Sequence, residues 1–314
     1  MAVLFVLNRY NASDWADMMR ERAPDLDIRL WPDETGNPEE IRFVVAWNPP
    51  AGELAKFSNL EVIFSMGAGV DHLMKDPDLP KVPVVRVVDG DLTKRMTEYV
   101  VMNVLLHHRR VGLYRTQQKA GEWTEHSQPA ANEVRVGILG FGVLGQDCGI
   151  LLRDLGFQVA GWSNGRKHVE GIESFAGSAE LDAFLGRTDI LVSLLPHTPD
   201  TDRMLNASLF AKLPQDGALD GPFLINAGRG KVQSDADVLA ALNDGTLKGA
   251  SLDVFEEEPL PSDSPLWAHP RLVLTPHVAA ESSPVAINDY ILDQLRGYEL
   301  GEPLSNVANA ARGY

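Results

Sequence analysis

The sequence predicts an α/β protein built from two doubly wound parallel-sheet domains. Three observations carry this expectation. The chain has 314 residues, roughly twice the usual length of one domain. Short apolar runs alternate with helical stretches through the first hundred residues, the pattern of a small parallel α/β unit. The same alternation restarts at Glu133, with a glycine-rich turn directly after its first strand. Hydrophobic residues make up 44% and charged residues 23%, enough to bury a sizeable core and to argue against a disordered chain.

Residues 3–7, 43–47, 62–65 and 82–88 read as strands. A helix starting near Ser13 and a short one near Glu53 fall between the first three. A long helical pattern follows over residues 92–119, with Met96, Val100, Val104, Leu105 and Val111 at helical spacings. The loop 121–132 separates it from strands at 134–139, 158–162 and 190–195. Near the end, Ser283 fits a helix N-cap and Pro284 the first helical position, ahead of Val285, Ile287, Ile291, Leu292 and Leu295 on one amphipathic face. This helix follows the last strand of the second unit and is expected to return to the first. The domains are then residues 1–104 with 283–314, and residues 105–282, with the substrate cleft between them.

Lys and Arg total 28 against 44 Asp and Glu, a net charge of −16 that phosphate backbones would repel, so no nucleic-acid partner is expected. The opening apolar run, residues 2–7, is short and lacks a basic flank, so it reads as a strand rather than a signal peptide or membrane helix. The single cysteine, Cys148, leaves no internal disulfide and no thiolate metal cluster. His107 and His108 are adjacent and face different directions on a helix, and His72, His126, His168 and His269 have no cluster partner. No metal is expected, and the expected compartment is the cytoplasm.

The chemistry begins at Gly140-Phe141-Gly142-Val143-Leu144-Gly145, which follows a strand and opens a helix. In that setting a G-x-G-x-x-G pattern points to a dinucleotide. Gly140 permits the tight turn, Gly142 lets the backbone approach the pyrophosphate, and Gly145 lets helix and strand pack closely. The helix N-terminus supplies free N–H groups and positive potential. At the end of the next strand, where NAD-specific sites usually carry a carboxylate, stand Ser163, Asn164, Gly165, Arg166 and Lys167. A hydroxyl and two cations suit a 2′-phosphate, so NADPH is preferred and NADH remains possible. The next strand ends at Leu195, Pro196, His197 and Thr198, a loop at the carboxyl edge where the cofactor lies.

Arg229, Glu258 and His277 each follow a buried-strand pattern and can share one sheet edge. Hydride transfer to a 2-keto acid needs such a set. A guanidinium binds the carboxylate and polarises the carbonyl, an imidazolium donates the proton, and a carboxylate orients the imidazole and favours its charged form. In the first domain, glycines in Ser65-Met66-Gly67-Ala68-Gly69 let backbone N–H groups face an anion. Trp47 either lines the pocket or belongs to the core, and Met96 either approaches the nicotinamide or packs in the core.

The order Gly-x-Gly-x-x-Gly, Asn226-x-x-Arg229-Gly230, Asp253-Val254-Phe255-x-x-Glu258-Pro259, then Pro276-His277, resembles the D-isomer-specific 2-hydroxyacid dehydrogenases over nearly the whole chain. Gly67 to Asp71, Trp162 to Lys167, Pro261, Ser264 to Trp267 and Ala311 to Tyr314 add to the likeness. Within that family the chain is most similar to reductases of glyoxylate and hydroxypyruvate. The resemblance implies a Rossmann cofactor domain inserted in a smaller flavodoxin-like substrate domain. It implies NADPH-dependent reduction of glyoxylate and hydroxypyruvate to glycolate and D-glycerate, and a homodimer using the helix at 92–119. It makes Arg229 the substrate-binding arginine, His277 the general acid/base and Glu258, rather than Glu256 or Glu257, its partner. Met66, Gly67, Ala68, Gly69 and Trp47 then meet substrate, with the Ala68 and Gly69 amides on its carboxylate. Val143, Leu144, Trp162, Asn164, Leu195, Pro196, Thr198, Ala227, Gly228 and Asp253 complete the expected cofactor contacts. Two alternatives stand beside this: another small 2-keto acid as substrate, and a cofactor-sensing binding protein of the same fold.

Overall fold

The opening apolar run forms β1 (Ala2–Leu7), whose side chains are buried on both faces, as a central parallel strand requires. The computed structural model describes residues 2–8, 11–280 and 283–309. Asn11 caps α1 (Ala12–Arg22) by accepting from the Ser13 N–H. The chain continues through β2 (Asp27–Leu30), β3 (Ile41–Trp47), β4 (Val62–Ser65), α2 (Asp71–Met74) and β5 (Val84–Val85). These strands form a five-stranded parallel sheet in the order β2-β1-β3-β4-β5. The strand expected over residues 82–88 is thus only β5. It is an edge strand, and Val85 pairs antiparallel with Val307. The short helix near Glu53 is a single 3₁₀ turn, Leu54–Lys56.

The long helical pattern is two helices, α3 (Gly90–His108) and α4 (Val111–Ala120). The break is at Arg110, which takes the left-handed conformation (φ 54). Its guanidinium reaches the Ser127 carbonyl and pairs with Asp220 at 2.9 Å. Apolar spacing continues through the break, so periodicity alone gave no sign of it.

The second unit follows: β6 (Arg135–Leu139), α5 (Val143–Asp154), β7 (Gln158–Ser163), β8 (Glu173–Ala176), α6 (Leu181–Leu185), β9 (Ile190–Ser193), α7 (Ala207–Phe210), β10 (Phe223–Asn226), α8 (Asp235–Asp244), β11 (Gly249–Leu252) and β12 (Leu272–Leu274). All seven strands are parallel, in the order β12-β11-β10-β9-β6-β7-β8. The chain starts in the middle at β6, winds outward through β7 and β8, and returns at β9. The direction of winding reverses between β6 and β9, where such sheets bind ligands. Val136, Ile138, Val192 and Ile225 bury on one face, and Leu139, Leu191, Leu224 and Leu252 on the other. The short strands β2 and β8 escaped the sequence reading because both are charged at their first residue and only partly apolar.

The last helix, α9 (Pro284–Glu299), packs Ile287, Ile291, Leu292 and Leu295 against the first sheet beside Ala16 and Met19 of α1. Pro284 opens it, although Ser283 makes no side-chain capping bond. The chain divides into two units, Met1–Leu92 with Ser282–Tyr314, and Thr93–Glu281. The first division lies inside α3, before the expected residue 104, because Met96, Tyr99, Val100 and Val104 bury with Val134, Val136 and Ile190 of the second unit. Met96 is therefore core. Residues 311–314 lie outside the described residues.

Candidate active site

In the second unit, the turn from β6 into α5 carries the glycines. Gly140 has φ +93, and a Cβ there would come within 2.8 Å of the Leu194 carbonyl. A Cβ at Gly145 would lie 2.5 Å from the Gly140 oxygen. At Gly142 an added Cβ would meet nothing within 4 Å, which is the open space a phosphate needs. Gly142 is also the N-cap of α5 and offers no side-chain capping bond, so the first N–H groups of the helix are unused by a cap. Val143 is exposed and Leu144 half-buried at that mouth. The residues present therefore fit a dinucleotide pyrophosphate.

At the end of β7, Trp162 is buried and its indole N–H donates to the Gly177 carbonyl at 2.9 Å. The Ser163 hydroxyl donates to the Gly165 carbonyl at 2.8 Å. Arg166 is ion-paired with Glu180 and donates to the Ser174 carbonyl. The Ala176 N–H, then the Arg166 charge, hold the Glu180 carboxyl below its ordinary range. Asn164 and Lys167 are exposed beside them, the Lys167 N–H donating to the Ser174 hydroxyl at 3.1 Å. β8 and the turn behind it thus brace this loop, which sequence reasoning missed.

Beyond β9, Leu195 is buried and the Thr201 hydroxyl braces the loop, donating to the Pro196 carbonyl at 2.6 Å and accepting from the Thr198 N–H at 2.8 Å. Beyond β10, Ala227 donates to the Ser193 carbonyl, and a Cβ on Gly228 would lie 2.6 Å from the Leu195 carbonyl. Asn226, fully buried, accepts from the Gly228 N–H at 3.1 Å and donates to Gln233 at 2.8 Å, wrapping the turn that presents Arg229. A Cβ on Gly230 would lie 1.8 Å from the Phe255 carbonyl, so only glycine lets the Arg229 turn close on the Glu258 turn.

Glu258 and His277 meet: the His277 Nδ1–H donates to Glu258 Oε2 at 2.7 Å, and Glu258 Oε1 accepts from the Phe255 N–H at 3.0 Å. Burial alone would raise the Glu258 carboxyl. The bonds from His277 and Phe255, with the charges of His277 and Arg229, outweigh it and hold the group below its ordinary range. Glu256 is turned elsewhere, pairing with Arg203 at 2.7 Å and accepting from the Asp235 N–H. Because Nδ1 is engaged, Nε2 of His277 is the ring nitrogen left for chemistry. Such a set can hold a carboxylate-bearing carbonyl compound and pass a proton to it.

His277 sits at φ 56 on a tight turn, donating its N–H to the Asp253 carbonyl at 2.8 Å. Asp253, 1% exposed, holds this turn with its carboxylate, which accepts from the Thr275 hydroxyl (2.6 Å) and the Val278 and Ala279 N–H groups (2.9 Å each). This bracing was not legible in the sequence, where Asp253 stood only as a cofactor contact.

The first unit carries its own set at the carboxyl end of β4. Met66 is buried, while Gly67, Ala68 and Gly69 are half-buried. The Ser65 hydroxyl donates to the Gly69 carbonyl at 3.2 Å. A Cβ on Gly67 would press within 2.8 Å of the Trp47 ring, which also packs on His72 at 4.6 Å between centroids.

The family described as D-isomer specific 2-hydroxyacid dehydrogenase, NAD binding domain, matches residues 101–279. Among solved structures, the chain is similar to an NADPH-dependent glyoxylate/hydroxypyruvate reductase from Sinorhizobium meliloti in complex with NADP and sulfate. The identity is 43%, over 100% of this chain and 99% of that one, with a TM-score of 0.93. It is similar to a probable 2-hydroxyacid dehydrogenase from Rhizobium etli in complex with NADP, HEPES and L(+)-tartaric acid (43% identity, 100% and 99% covered, TM-score 0.94). It is also similar to a D-isomer specific 2-hydroxyacid dehydrogenase from Xanthobacter autotrophicus in complex with NADPH and MES (39% identity, 100% and 99% covered, TM-score 0.94). With the glycine turn, the Arg229 turn and the Glu258–His277 pair on one parallel sheet, this chain belongs to the D-isomer-specific 2-hydroxyacid dehydrogenase family.

Proposed function

We propose that the chain is an NADPH-dependent reductase of small 2-keto acids, converting glyoxylate to glycolate and hydroxypyruvate to D-glycerate. The observation that carries this is the 2.7 Å bond from His277 Nδ1 to Glu258, which leaves Nε2 to deliver a proton. That the similar Sinorhizobium protein is an NADPH-dependent glyoxylate/hydroxypyruvate reductase supports the choice of keto acid and of NADPH. NADPH, when bound, supplies the hydride. Gly140, Gly142, Gly145 and the α5 N-terminus hold its pyrophosphate, and Ser163, Arg166 and Lys167 its 2′-phosphate. Arg229 grips the substrate carboxylate and polarises the carbonyl. In the first unit, the Ala68 and Gly69 amides are suited to a carboxylate. His277, oriented by Glu258, gives its Nε2 proton to the carbonyl oxygen.

The test is to mix the purified protein with glyoxylate, hydroxypyruvate and bulkier 2-keto acids, each with NADPH or NADH, and follow loss of the reduced nicotinamide absorbance. Fastest turnover of the two small acids with NADPH is expected. Turnover only of bulkier acids would move the substrate, and none with any keto acid would leave a cofactor-sensing binding protein.

A homodimer in the cytoplasm fits the rest of the surface. Met102, Leu105, Val111, Leu113 and Tyr114 leave an apolar stretch exposed along α3 and α4. Among the described residues, no helix is long and apolar enough to cross a membrane. Light scattering at micromolar concentration is expected to give twice the chain mass.

A further inference from the structure

Helix α3 carries a buried polar residue that the proposed chemistry does not use. Tyr99 is 8% exposed, and its hydroxyl lies 2.7 Å from the Thr275 hydroxyl. The single Thr275 proton is already committed, because Thr275 Oγ1 donates to Asp253 at 2.6 Å. Tyr99 must therefore be the donor to Thr275. Burial raises the phenol to about 12, so the donor proton stays in place through any working pH. The Asp253 carboxylate at the end of this chain of bonds also accepts from Val278 and Ala279, the two residues after His277. Its own carbonyl accepts the His277 N–H.

We propose that Tyr99 is a positioning residue for His277, acting through Thr275 and Asp253. The mechanical case is that His277 sits in a left-handed conformation, which a non-glycine residue adopts at a cost and keeps only when its surroundings over-determine it. Among the described residues, the groups that hold this turn are those of Asp253 and Thr275, and Tyr99 is what fixes Thr275 from outside the turn. α3 is itself anchored. Thr97 donates to Asp147 of α5 at 2.6 Å, Lys94 to the same carboxylate at 2.9 Å, and His107 is bonded to Ser251 of β11 at 2.9 Å. Tyr99, Asn103 and His107 recur at four-residue spacing, on one helix face. Tyr99 thus ties the histidine turn to a helix that also grips the helix of the glycine loop. Removing its hydroxyl frees the Thr275 side chain to rotate, loosens the Asp253 carboxylate, and misplaces Nε2.

The proposal rests on the role given above to His277, and its test separates the two. Tyr99→Phe, Thr275→Val, Thr275→Ser and the Tyr99→Phe/Thr275→Val double variant are compared with wild type in NADPH-dependent keto-acid reduction. Small misplacements of a reacting group carry large rate costs. Tyr99→Phe is expected to lower kcat by about tenfold with KM for NADPH and melting temperature nearly unchanged. Thr275→Val is expected to lose more, Thr275→Ser to recover most of it, and the double variant to fall no further than Thr275→Val. A Tyr99→Phe enzyme as fast as wild type, or losses that multiply in the double variant, overturns the relay. In parallel, the imidazole signals of 15N-histidine-labelled protein are recorded, with His277→Gln to identify the relevant resonance. That resonance is expected to shift in Tyr99→Phe whether or not any keto acid is turned over. An unmoved resonance overturns the inference alone, while absent turnover by wild type overturns the function alone.

Discussion

The glycine turn after β6 and the histidine turn after β12 stand on the same sheet but are built in opposite ways. The glycine turn is made of backbone: three residues without side chains, an uncapped helix end, and a neighbouring carbonyl that leaves no room for a Cβ at Gly140. The histidine turn is made of side chains. Glu258 holds the ring, and Asp253, Thr275 and Tyr99 hold the chain beneath it. A backbone site tolerates loss of surrounding side chains but no added atom at Gly140 or Gly145. A side-chain site tolerates small changes of shape but no loss of a hydrogen-bonding partner. The two regions should therefore fail differently, one in binding and the other in rate.

The largest expected effect breaks the second region alone. His277→Gln should cut kcat by about 10²–10⁴, the range for a lost general acid, while NADPH binding measured by fluorescence stays near wild type. Next comes the cofactor side. Arg166→Ala combined with Lys167→Ala should weaken NADPH by about tenfold per lost contact and leave NADH little changed. The lower end of the usual range applies because Arg166 already shares its charge with Glu180. Equal losses for both cofactors would reduce the pair to ordinary surface charge.

Glu258→Gln sharpens the comparison within the histidine turn. The Glu258 carboxyl is held below its ordinary range, so its interaction with His277 is present above that range and is lost only as pH falls through the lowered value. At neutral pH the interaction is intact. Replacing it with a neutral acceptor keeps a hydrogen-bond partner on Nδ1 but removes the charge, and should cost about tenfold in reduction. Reduction as fast as wild type would remove Glu258 as the partner. Arg229→Lys should act chiefly on substrate KM, since an ammonium cannot make the bidentate contact.

The smallest effect on activity, and one on stability, concerns His107. Burial pushes its imidazole down to about 4, so it stays neutral in the fold while an unfolded chain protonates it near its usual value. Stability is then full above about pH 6.5 and falls as pH drops toward 4, by at most about 3 kcal/mol. His107→Gln should flatten that part of a denaturation profile and change neutral-pH turnover least of these variants. A wild-type profile that is already flat there would contradict the burial.

Much of the fold and the site was legible, and the reasons are particular. The glycine turn could be read because six consecutive residues, with a strand before and a helix after, specify it. The ends of β10, β11 and β12 could be read because fully or partly buried parallel strands leave short apolar runs. The helix break at Arg110 could not, because apolar spacing runs unchanged from α3 into α4. Nor could the brace that β8 and Glu180 place behind Arg166, since β8 is short and partly exposed. The choice of Glu258 over Glu256 and Glu257 came from resemblance rather than spacing. The structure shows the difference as one carboxylate on His277 and another on Arg203.

By itself the sequence determined what depends on neighbours along the chain: the alternation that makes two parallel sheets, the glycines that open a phosphate cradle, and the three strand ends that carry Arg229, Glu258 and His277. Only tertiary structure decided what depends on neighbours across it. Tyr99 and Thr275 are 176 positions apart, and Asp253 and Val278 are 25 apart. Backbone conformation answers to residue type within a few positions, because sterics act locally. Which side chains share a hydrogen bond answers to strand register and helix packing. Those are settled only when the whole sheet has formed, so the turn that aims His277 had to be seen folded.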